Sequence, residues 1–124
     1  MKVVMVSSLD ETHPADNIMD GRDQTFWMST GLYPQEILLQ LPEPTRLSSI
    51  QLSTTNVKTV RVEGCSEDEP VNFKTLADGD LDAKDGRLQI KDIPLGDAPD
   101  LRFVKVQILS GWHDFCSVHK ILPS

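Results

Sequence analysis

Several features that common protein classes require are missing from this 124-residue sequence. It has no long hydrophobic run, so it lacks the stretch of about 20 apolar residues that a membrane-spanning helix needs. It has no Asn-x-Ser/Thr glycosylation signal, because Asn17, Asn56 and Asn72 all lack Ser or Thr two positions later. No block of Lys or Arg interrupts a formal net charge of -7, so nucleic acid is not an expected partner.

Cysteine is also scarce, and its placement bears on the cellular compartment. Cys65 and Cys116 have neither zinc-type nor redox-type spacing. One disulfide could join them, but two free, partly buried thiols in a reducing compartment are the simpler interpretation. The apolar "VVMV" behind Lys2 is far too short for the core of a secretory signal peptide. We therefore expect a cytosolic protein without membrane insertion.

What the chain does contain is sufficient for one domain, residues 1–124. Hydrophobic residues make up 39% of the sequence and charged residues 25%, as in ordinary globular proteins. A chain of this length can bury a genuine hydrophobic core without disulfide or metal cross-links.

Apolar and polar residues alternate in four segments, which predicts half-buried strands. Val104, Val106 and Ile108, for example, share one face of the last segment. Helical periodicity is absent, so no amphipathic helix of normal length is expected after Gly31. The four segments are "QEILLQL" (35–41), "RLSSIQLST" (46–54), "VKTVRVEG" (57–64) and "LRFVKVQIL" (101–109).

Turn-forming residues separate the predicted strands. "LPEPTR" (41–46) is predicted to be a short connection between strands, and "ADGDLDAKDGR" (77–87) the most mobile connection. "PLGDAPD" (94–100) has the same turn chemistry. The pattern favours an all-β sandwich or jelly roll of about eight short strands.

The stretch "NIMDGRDQTFW" (17–27) places oxygen-bearing residues around a tight turn. In the Asp20-Gly21 pair, glycine supplies the positive φ that lets the chain fold back with its carbonyls inward. Such a turn could bring the carbonyls near Asn17 and Arg22 to the side of the Asp20 carboxylate, and the Thr25 hydroxyl could complete the ring.

Two interpretations of this stretch remain open from the spacing. Carbonyls, one carboxylate and a hydroxyl suit a hard divalent cation, and their low total charge favours a structural calcium. The alternative is a capped turn before a buried Trp27, which spacing alone somewhat favours because Asp-Gly pairs are common.

The longer stretch "HPADNIMDGRDQTFWMSTG" (13–31) resembles the first motif of galactose-binding-like jelly rolls, which include discoidin and coagulation-factor type C domains. In that motif an Asn-x-x-Asp-Gly turn leads through Thr or Ser to a buried Trp. The closing "FCSVHKIL" (115–122) is similar to the last strand of the family, which returns to the same ion. The resemblance implies a galactose-binding-like jelly-roll β-sandwich of antiparallel strands that binds Ca²⁺.

The resemblance also implies a ligand set for the calcium ion. Many relatives carry Glu where this chain has Ser117, so the loss of that charge is expected to weaken binding. The implied ligands are the carbonyls of Asn17 and Arg22, the Asp20 carboxylate, Thr25, and the region of Cys116 and Ser117.

Three stretches together resemble the family of intraflagellar transport protein 25, also described as small-heat-shock-like: residues 13–41, 59–73 and 101–121. This resemblance implies a non-enzymatic subunit of intraflagellar transport complex B that works in the cytoplasm and the cilium or flagellum. It also implies a stable heterodimer with a Rab-like small GTPase, alongside other complex B subunits. Tyr33 and Trp112 are candidate aromatic contacts on the partner-facing surface.

Two other functions remain as alternatives. A carbohydrate-binding jelly-roll module is the first, although only Trp112, His113 and Asp114 suggest a polar-aromatic loop and sugar binding is not the expected role. An enzyme is the second, because Ser117 and His119 would share a strand face. A serine beside a histidine needs an orienting acid and an oxyanion turn, which the sequence does not reveal.

Overall fold

A computed structural model describes residues 1–8, 12–22, 24–29 and 32–124. Within these ranges there are nine strands and one short 3₁₀ helix, Ala15–Met19. The strands are β1 (Lys2–Val6), β2 (Trp27–Met28), β3 (Gln35–Thr45), β4 (Ser49–Thr55), β5 (Val57–Cys65), β6 (Lys74–Asp80), β7 (Gln89–Pro94), β8 (Leu101–Gly111) and β9 (Ser117–Pro123).

The strands form two antiparallel sheets that are joined by crossover connections. One sheet has the order β1-β3-β8-β5-β6, and the other has the order β2-β9-β4-β7. The prediction of an all-β jelly-roll sandwich is therefore confirmed, with nine strands where about eight were expected. All four segments with alternating polarity are strands.

The main core lies between the two sheets, where the alternating apolar residues meet. β8 pairs with β3 on one side and with β5 on the other, and its Val104, Val106 and Ile108 are all buried. Trp27 is among the largest fully buried side chains, at 0% exposure. Because alternate residues of these strands are apolar and buried, each sheet has one apolar face. The two sheets pack with these faces against each other, which gives the sandwich.

A second, smaller cluster lies on the other face of the five-stranded sheet. Leu38, Cys65 and Phe103 are buried there, and Phe73 packs against them. The Cys65 sulfur lies 3.2 Å from the Glu69 carbonyl oxygen and 3.1 Å from that of Val71. The loop 66–73 therefore covers this part of the sheet.

Two predicted connections are wrong. β3 continues to Thr45, so the prolines of "LPEPTR" lie within a strand. The pairing of β3 with β8 is interrupted between Gln40 and Thr45, and proline is tolerated there because no ladder N–H is required. β6 likewise includes Asp78–Asp80, which was predicted to be part of a mobile connection.

Three further expectations agree with the structure. The described part of the chain after residue 31 contains no helix. Both cysteines are free and buried, as the simpler interpretation predicted. No helix in the described ranges has the length and apolar character needed to span a membrane.

Candidate metal centre

The predicted turn at Asp20-Gly21 follows directly after the 3₁₀ helix. Gly21 has a φ of 76°, the left-handed conformation for which glycine was expected. The helix buries Ile18 completely and packs against β1 and β9. The turn is therefore attached to both the first and the last strand through the helix that precedes it.

Asp20 joins two other predicted ligand residues through its carboxylate. Oδ1 accepts a hydrogen bond from the backbone N–H of Arg22 at 2.9 Å, and Oδ2 accepts one from the Thr25 hydroxyl. The Thr25 hydroxyl, and then the Arg22 N–H, hold the pKa of the exposed Asp20 carboxyl below its usual range. The carboxylate is consequently ionised at neutral pH and lies beside the hydroxyl that was predicted to complete the ring.

Asn17 connects the two ends of the same loop. Its backbone carbonyl accepts a long hydrogen bond of 3.5 Å from the Asp20 N–H. Its side-chain amide donates to the Phe26 carbonyl oxygen at 3.0 Å. The loop is thus closed at its base, immediately before the buried Trp27.

The two remaining predicted ligands lie just before β9 and at its first residue, and both have hydrogen-bond partners on other segments or within β9. The Cys116 carbonyl accepts from the Ser29 N–H at 2.9 Å, and the Cys116 N–H donates to the Ser29 hydroxyl at 3.0 Å. The Ser117 hydroxyl lies within hydrogen-bond distance of the Thr55 hydroxyl and 3.0 Å from His119 Nε2. The structure thus brings Asp20, Arg22 and Thr25 into direct contact, and the calcium role of these residues, like that of Asn17, Cys116 and Ser117, stays a prediction.

Cys116 has the environment of a core residue. Its side chain is buried, and burial raises the pKa of its thiol, although hydrogen bonds to Ser29 and Tyr33 act in the opposite direction. A raised thiol pKa reduces the fraction of thiolate, which is the reactive form. The interpretation of Cys116 as a small core residue is confirmed.

The chemistry of the loop fits calcium better than a softer metal. Its predicted donors are one carboxylate, one hydroxyl and backbone carbonyls, all of them hard oxygen atoms. Across the described residues, no group of three or more His, Cys, Asp or Glu side chains could hold a metal ion. A metal ion at this loop would therefore depend on backbone carbonyls as ligands, as calcium sites commonly do.

Sequence reasoning missed a contact that ties the loop to the last strand. The Phe26 ring lies 4.2 Å, centroid to centroid, from the His13 ring and 4.9 Å from the His119 ring. His13 precedes the 3₁₀ helix, and His119 lies in β9. Neither histidine has a local sequence pattern that would pair it with Phe26, so only the three-dimensional fold reveals the contact.

The candidate aromatic contacts Tyr33 and Trp112 lie in two loops that contact each other. The Tyr33 hydroxyl donates to the His113 carbonyl oxygen at 2.9 Å, which connects the β2–β3 and β8–β9 loops. The Trp112 indole N–H donates to the Leu81 carbonyl at 3.0 Å, yet the residue remains 43% exposed. Phe115 in the same loop is 51% exposed. These loops thus present aromatic surface to solvent.

Comparison with known proteins identifies the family. The model of the F5/8 type C domain matches residues 3–121. The intraflagellar transport protein 25 homolog of Homo sapiens is 35% identical over 122 residues, which cover 97% of this chain and 83% of that protein. The chain belongs to the F5/8 type C domain family and, within it, to the intraflagellar transport protein 25 family. The family resemblance inferred from the sequence motifs is confirmed.

Solved structures agree on the fold. The chitosan-binding module 1 of a chitosanase/glucanase from Paenibacillus sp. IK-5 superposes with a TM-score of 0.82 at 21% identity, over 97% of this chain and 92% of that one. The family 32 CBM of C. perfringens NanJ, solved in complex with galactose, gives 0.77 at 17% identity over 96% and 90%. At these identities the likeness shows the galactose-binding-like jelly-roll fold. It does not show that the ligands are shared.

The lowered pKa of Asp20 leads to an expected pH dependence. Because the folded-state pKa lies below the unfolded value, the stability contributed by Asp20 is fully present above about pH 4 and is lost as pH falls through the folded-state pKa. In calcium-free buffer, wild type should therefore be more stable than Asp20→Asn at neutral pH, and the difference should vanish in acid. Urea unfolding from pH 7 to pH 2 measures this difference.

Asp16→Asn is the matched control, since Asp16 lies in the first turn of the preceding 3₁₀ helix. Its difference from wild type should not follow the Asp20 curve. If the Asp20→Asn difference stayed constant down to the lowest pH, the hydrogen bonds at the carboxylate would not contribute to stability.

Proposed function

We propose that this protein is a non-enzymatic, calcium-binding subunit of intraflagellar transport complex B. In this role it forms a heterodimer with a Rab-like small GTPase and acts in the cytoplasm and the cilium or flagellum. The observation that supports this most strongly is the 35% identity to the human intraflagellar transport protein 25 homolog over nearly the whole chain. An identity of this level over nearly the whole chain indicates more than a shared fold.

The non-enzymatic role is supported by the placement of the candidate nucleophiles. The Ser117 hydroxyl lies next to His119 Nε2, but it also pairs with Thr55 and the residue is only 5% exposed. Cys116 is completely buried. Neither side chain is presented to a substrate in the way that a nucleophilic mechanism requires.

The calcium proposal is supported by the ionised Asp20 carboxylate, which lies beside the Thr25 hydroxyl in the turn. When bound, the ion would replace the hydrogen bond between Asp20 and Thr25 with coordination by both oxygens. Arg22 and Asn17 would contribute backbone carbonyls, and β9 would supply the ligands from Cys116 and Ser117. The role of the ion would be to connect this loop to the last strand, which lies far from it in sequence.

The partner proposal is supported by the exposed aromatic residues at the loop end. Trp112 and Phe115 are exposed in the β8–β9 loop, and the partly buried Tyr33 of the β2–β3 loop is hydrogen-bonded to it. Aromatic residues commonly anchor protein interfaces. Lys58 lies over the Trp112 ring, 5.1 Å from its centroid, and helps to fix its orientation. The chain has no glycine-rich phosphate loop, so nucleotide chemistry would belong to the partner.

Expression of the tagged protein in ciliated cells tests this function. The protein should be present in the cytoplasm and enriched in cilia, where it should move along the axoneme together with a known complex B subunit. The tag alone is the control for passive entry. A protein that remains excluded from cilia, or that enters without moving with the complex, would contradict the proposal.

The carbohydrate-binding alternative makes the opposite prediction. A sugar-binding module would show a higher thermal midpoint in the presence of galactose or chitooligosaccharides, the ligands bound by the solved relatives. We expect no shift with either sugar. A midpoint that rises with sugar concentration and is abolished by Trp112→Ala would favour the alternative.

A further inference from the structure

An exposed serine begins the loop between β5 and β6. The Ser66 hydroxyl donates a 2.6 Å hydrogen bond to the Asp100 carbonyl oxygen, and residues 66–72 are all exposed. The serine therefore lies on an exposed surface segment, where one hydrogen bond holds its hydroxyl and the Cys65 sulfur contacts the carbonyl oxygens of Glu69 and Val71. A single neutral hydrogen bond contributes only about 1 kcal/mol, so it does not withhold the hydroxyl from an enzyme.

Three consecutive carboxylates follow this hydroxyl. Glu67, Asp68 and Glu69 occupy the first, second and third positions after Ser66. Protein kinases that select acidic substrates recognise carboxylates on the C-terminal side of the acceptor through clusters of Arg and Lys. The sequence and the exposure of this loop together match what such an enzyme requires.

Other hydroxyl residues match this pattern less well. Ser7, Ser8 and Thr75 also have a carboxylate at the third following position, but none is followed by three in succession. Thr75 lies within β6 and pairs with Glu63, so its backbone is held in a sheet. The Ser8 hydroxyl donates to the Gln35 side chain at 2.7 Å. Ser66 alone in this group combines the acidic sequence with an exposed loop.

We propose that Ser66 is a phosphorylation site for an acidophilic serine/threonine kinase. In the reaction, Ser66 Oγ forms a bond to the γ-phosphorus of ATP, and the bond from that phosphorus to the β,γ-bridging oxygen breaks, which releases ADP. The hydroxyl proton passes to the catalytic Asp of the kinase. None of the residues at this site belongs to the calcium loop.

The surroundings of Ser66 can accept a phosphate group. Arg102 Nη1 lies 3.5 Å from Asp68, and its buried Nε has no hydrogen-bond partner in the described part of the chain. The last ladder pair of β5 with β8 is Cys65 with Phe103, so Ser66 and Arg102 are the next residues along the two strands. Lys74 lines the same cleft of about 180 Å³ as Ser66. A phosphoserine would therefore have Lys74 in the same cleft and Arg102 at the adjacent register position of β8.

Phosphorylation would also change how the loop is held. The modified oxygen no longer donates to the Asp100 carbonyl, and the phosphate repels that carbonyl while it competes with Asp68 for Arg102. The loop 66–73 covers the second cluster of Leu38, Cys65 and Phe103. The modification therefore acts on the contacts that keep this cluster covered.

The test uses the purified 124-residue chain, ATP and an acidophilic kinase of the casein-kinase type. Peptide mapping of the wild-type protein should place one phosphate on Ser66. Ser66→Ala should abolish incorporation, whereas the matched variant Thr75→Ala should leave it unchanged. The triple variant Glu67→Gln, Asp68→Asn, Glu69→Gln should lower the initial rate by about tenfold or more, because charge-assisted contacts to the kinase are lost.

A synthetic peptide of residues 62–73 separates sequence recognition from accessibility. Both the peptide and the folded chain should be phosphorylated. If only the peptide is modified, Ser66 is inaccessible to the kinase in the folded chain. If neither is modified, the kinase does not recognise the sequence. Either result, or a phosphate mapped to another residue, would overturn the proposal, and none of them bears on intraflagellar transport.

Discussion

Replacing Trp27 with alanine is expected to lower the free energy of unfolding by about 3–5 kcal/mol, the range for truncating a buried tryptophan. Trp27 is 0% exposed, and its indole N–H donates to the Ser8 carbonyl oxygen at 3.0 Å. It pairs with Val118 of β9, so its loss leaves a cavity where the first loop meets the last strand. Urea unfolding at neutral pH, with the slope checked for two-state behaviour, measures the effect.

Trp112→Ala is the matched control for this substitution. Trp112 also donates its indole N–H to a backbone carbonyl, that of Leu81, but it is 43% exposed. We expect its removal to cost about 1 kcal/mol, since it leaves no comparable cavity. Equal losses for the two variants would contradict the assignment of Trp27 as the core anchor of the loop. Trp27→Phe keeps most of the ring and serves where the alanine variant does not fold.

Calcium is expected to raise the thermal midpoint of the metal-free protein by roughly 10 °C when its free concentration is about a hundredfold above the dissociation constant. An ion that binds only the folded state stabilises it by about 2.7 kcal/mol under that condition. Asp20→Ala should abolish the shift, because it removes the one predicted carboxylate ligand. Melting curves in calcium and in a chelator measure the difference.

Two controls make the calcium experiment specific. Asp16→Ala removes an equal charge from the neighbouring 3₁₀ helix, and it should leave the calcium shift intact. Magnesium should give a smaller shift, because it requires strict octahedral geometry and gives up its water reluctantly. Identical midpoints in calcium and chelator, or a shift that Asp16→Ala and Asp20→Ala reduce equally, would remove the ion from this loop.

The sequence predicted the strands that have one buried face, because burial imposes alternation. β3, β4, β5 and β8 each carry apolar residues at alternate positions, and all four form as predicted. β6 was missed because most of its side chains are exposed or half-buried and it contains the turn-like Asp78-Gly79 pair. A strand that buries little has no pattern to detect.

Pro42 and Pro44 were misleading for a different reason. Proline normally interrupts a strand because it cannot donate to the ladder, and "LPEPTR" was therefore predicted as a connection. In the structure the ladder to β8 is already interrupted between Gln40 and Thr45, so the chain remains extended without needing those donors. Such irregular pairing depends on the partner strand and is invisible in the sequence of β3 alone.

The candidate site contains two kinds of contact, those within one turn and those between distant segments. Asp20, Arg22 and Thr25 lie within six residues, and the Asp20 carboxylate accepts hydrogen bonds from the Arg22 N–H and the Thr25 hydroxyl, while the predicted ligand role of the Arg22 carbonyl stays a prediction. The contacts of Phe26 with His13 and His119 join separate segments, and no local pattern indicates them. Contacts within a turn follow from spacing, whereas contacts between segments follow from the topology of the sheets.

The account of this protein as a stably partnered transport subunit is tested most directly by its composition after mild purification from ciliated cells. Tagged protein should elute in gel filtration as a complex with one Rab-like small GTPase per chain, and mass spectrometry should identify complex B subunits in the less stringent washes. Recovery of the chain alone, as a well-behaved monomer under the same conditions, would contradict the account.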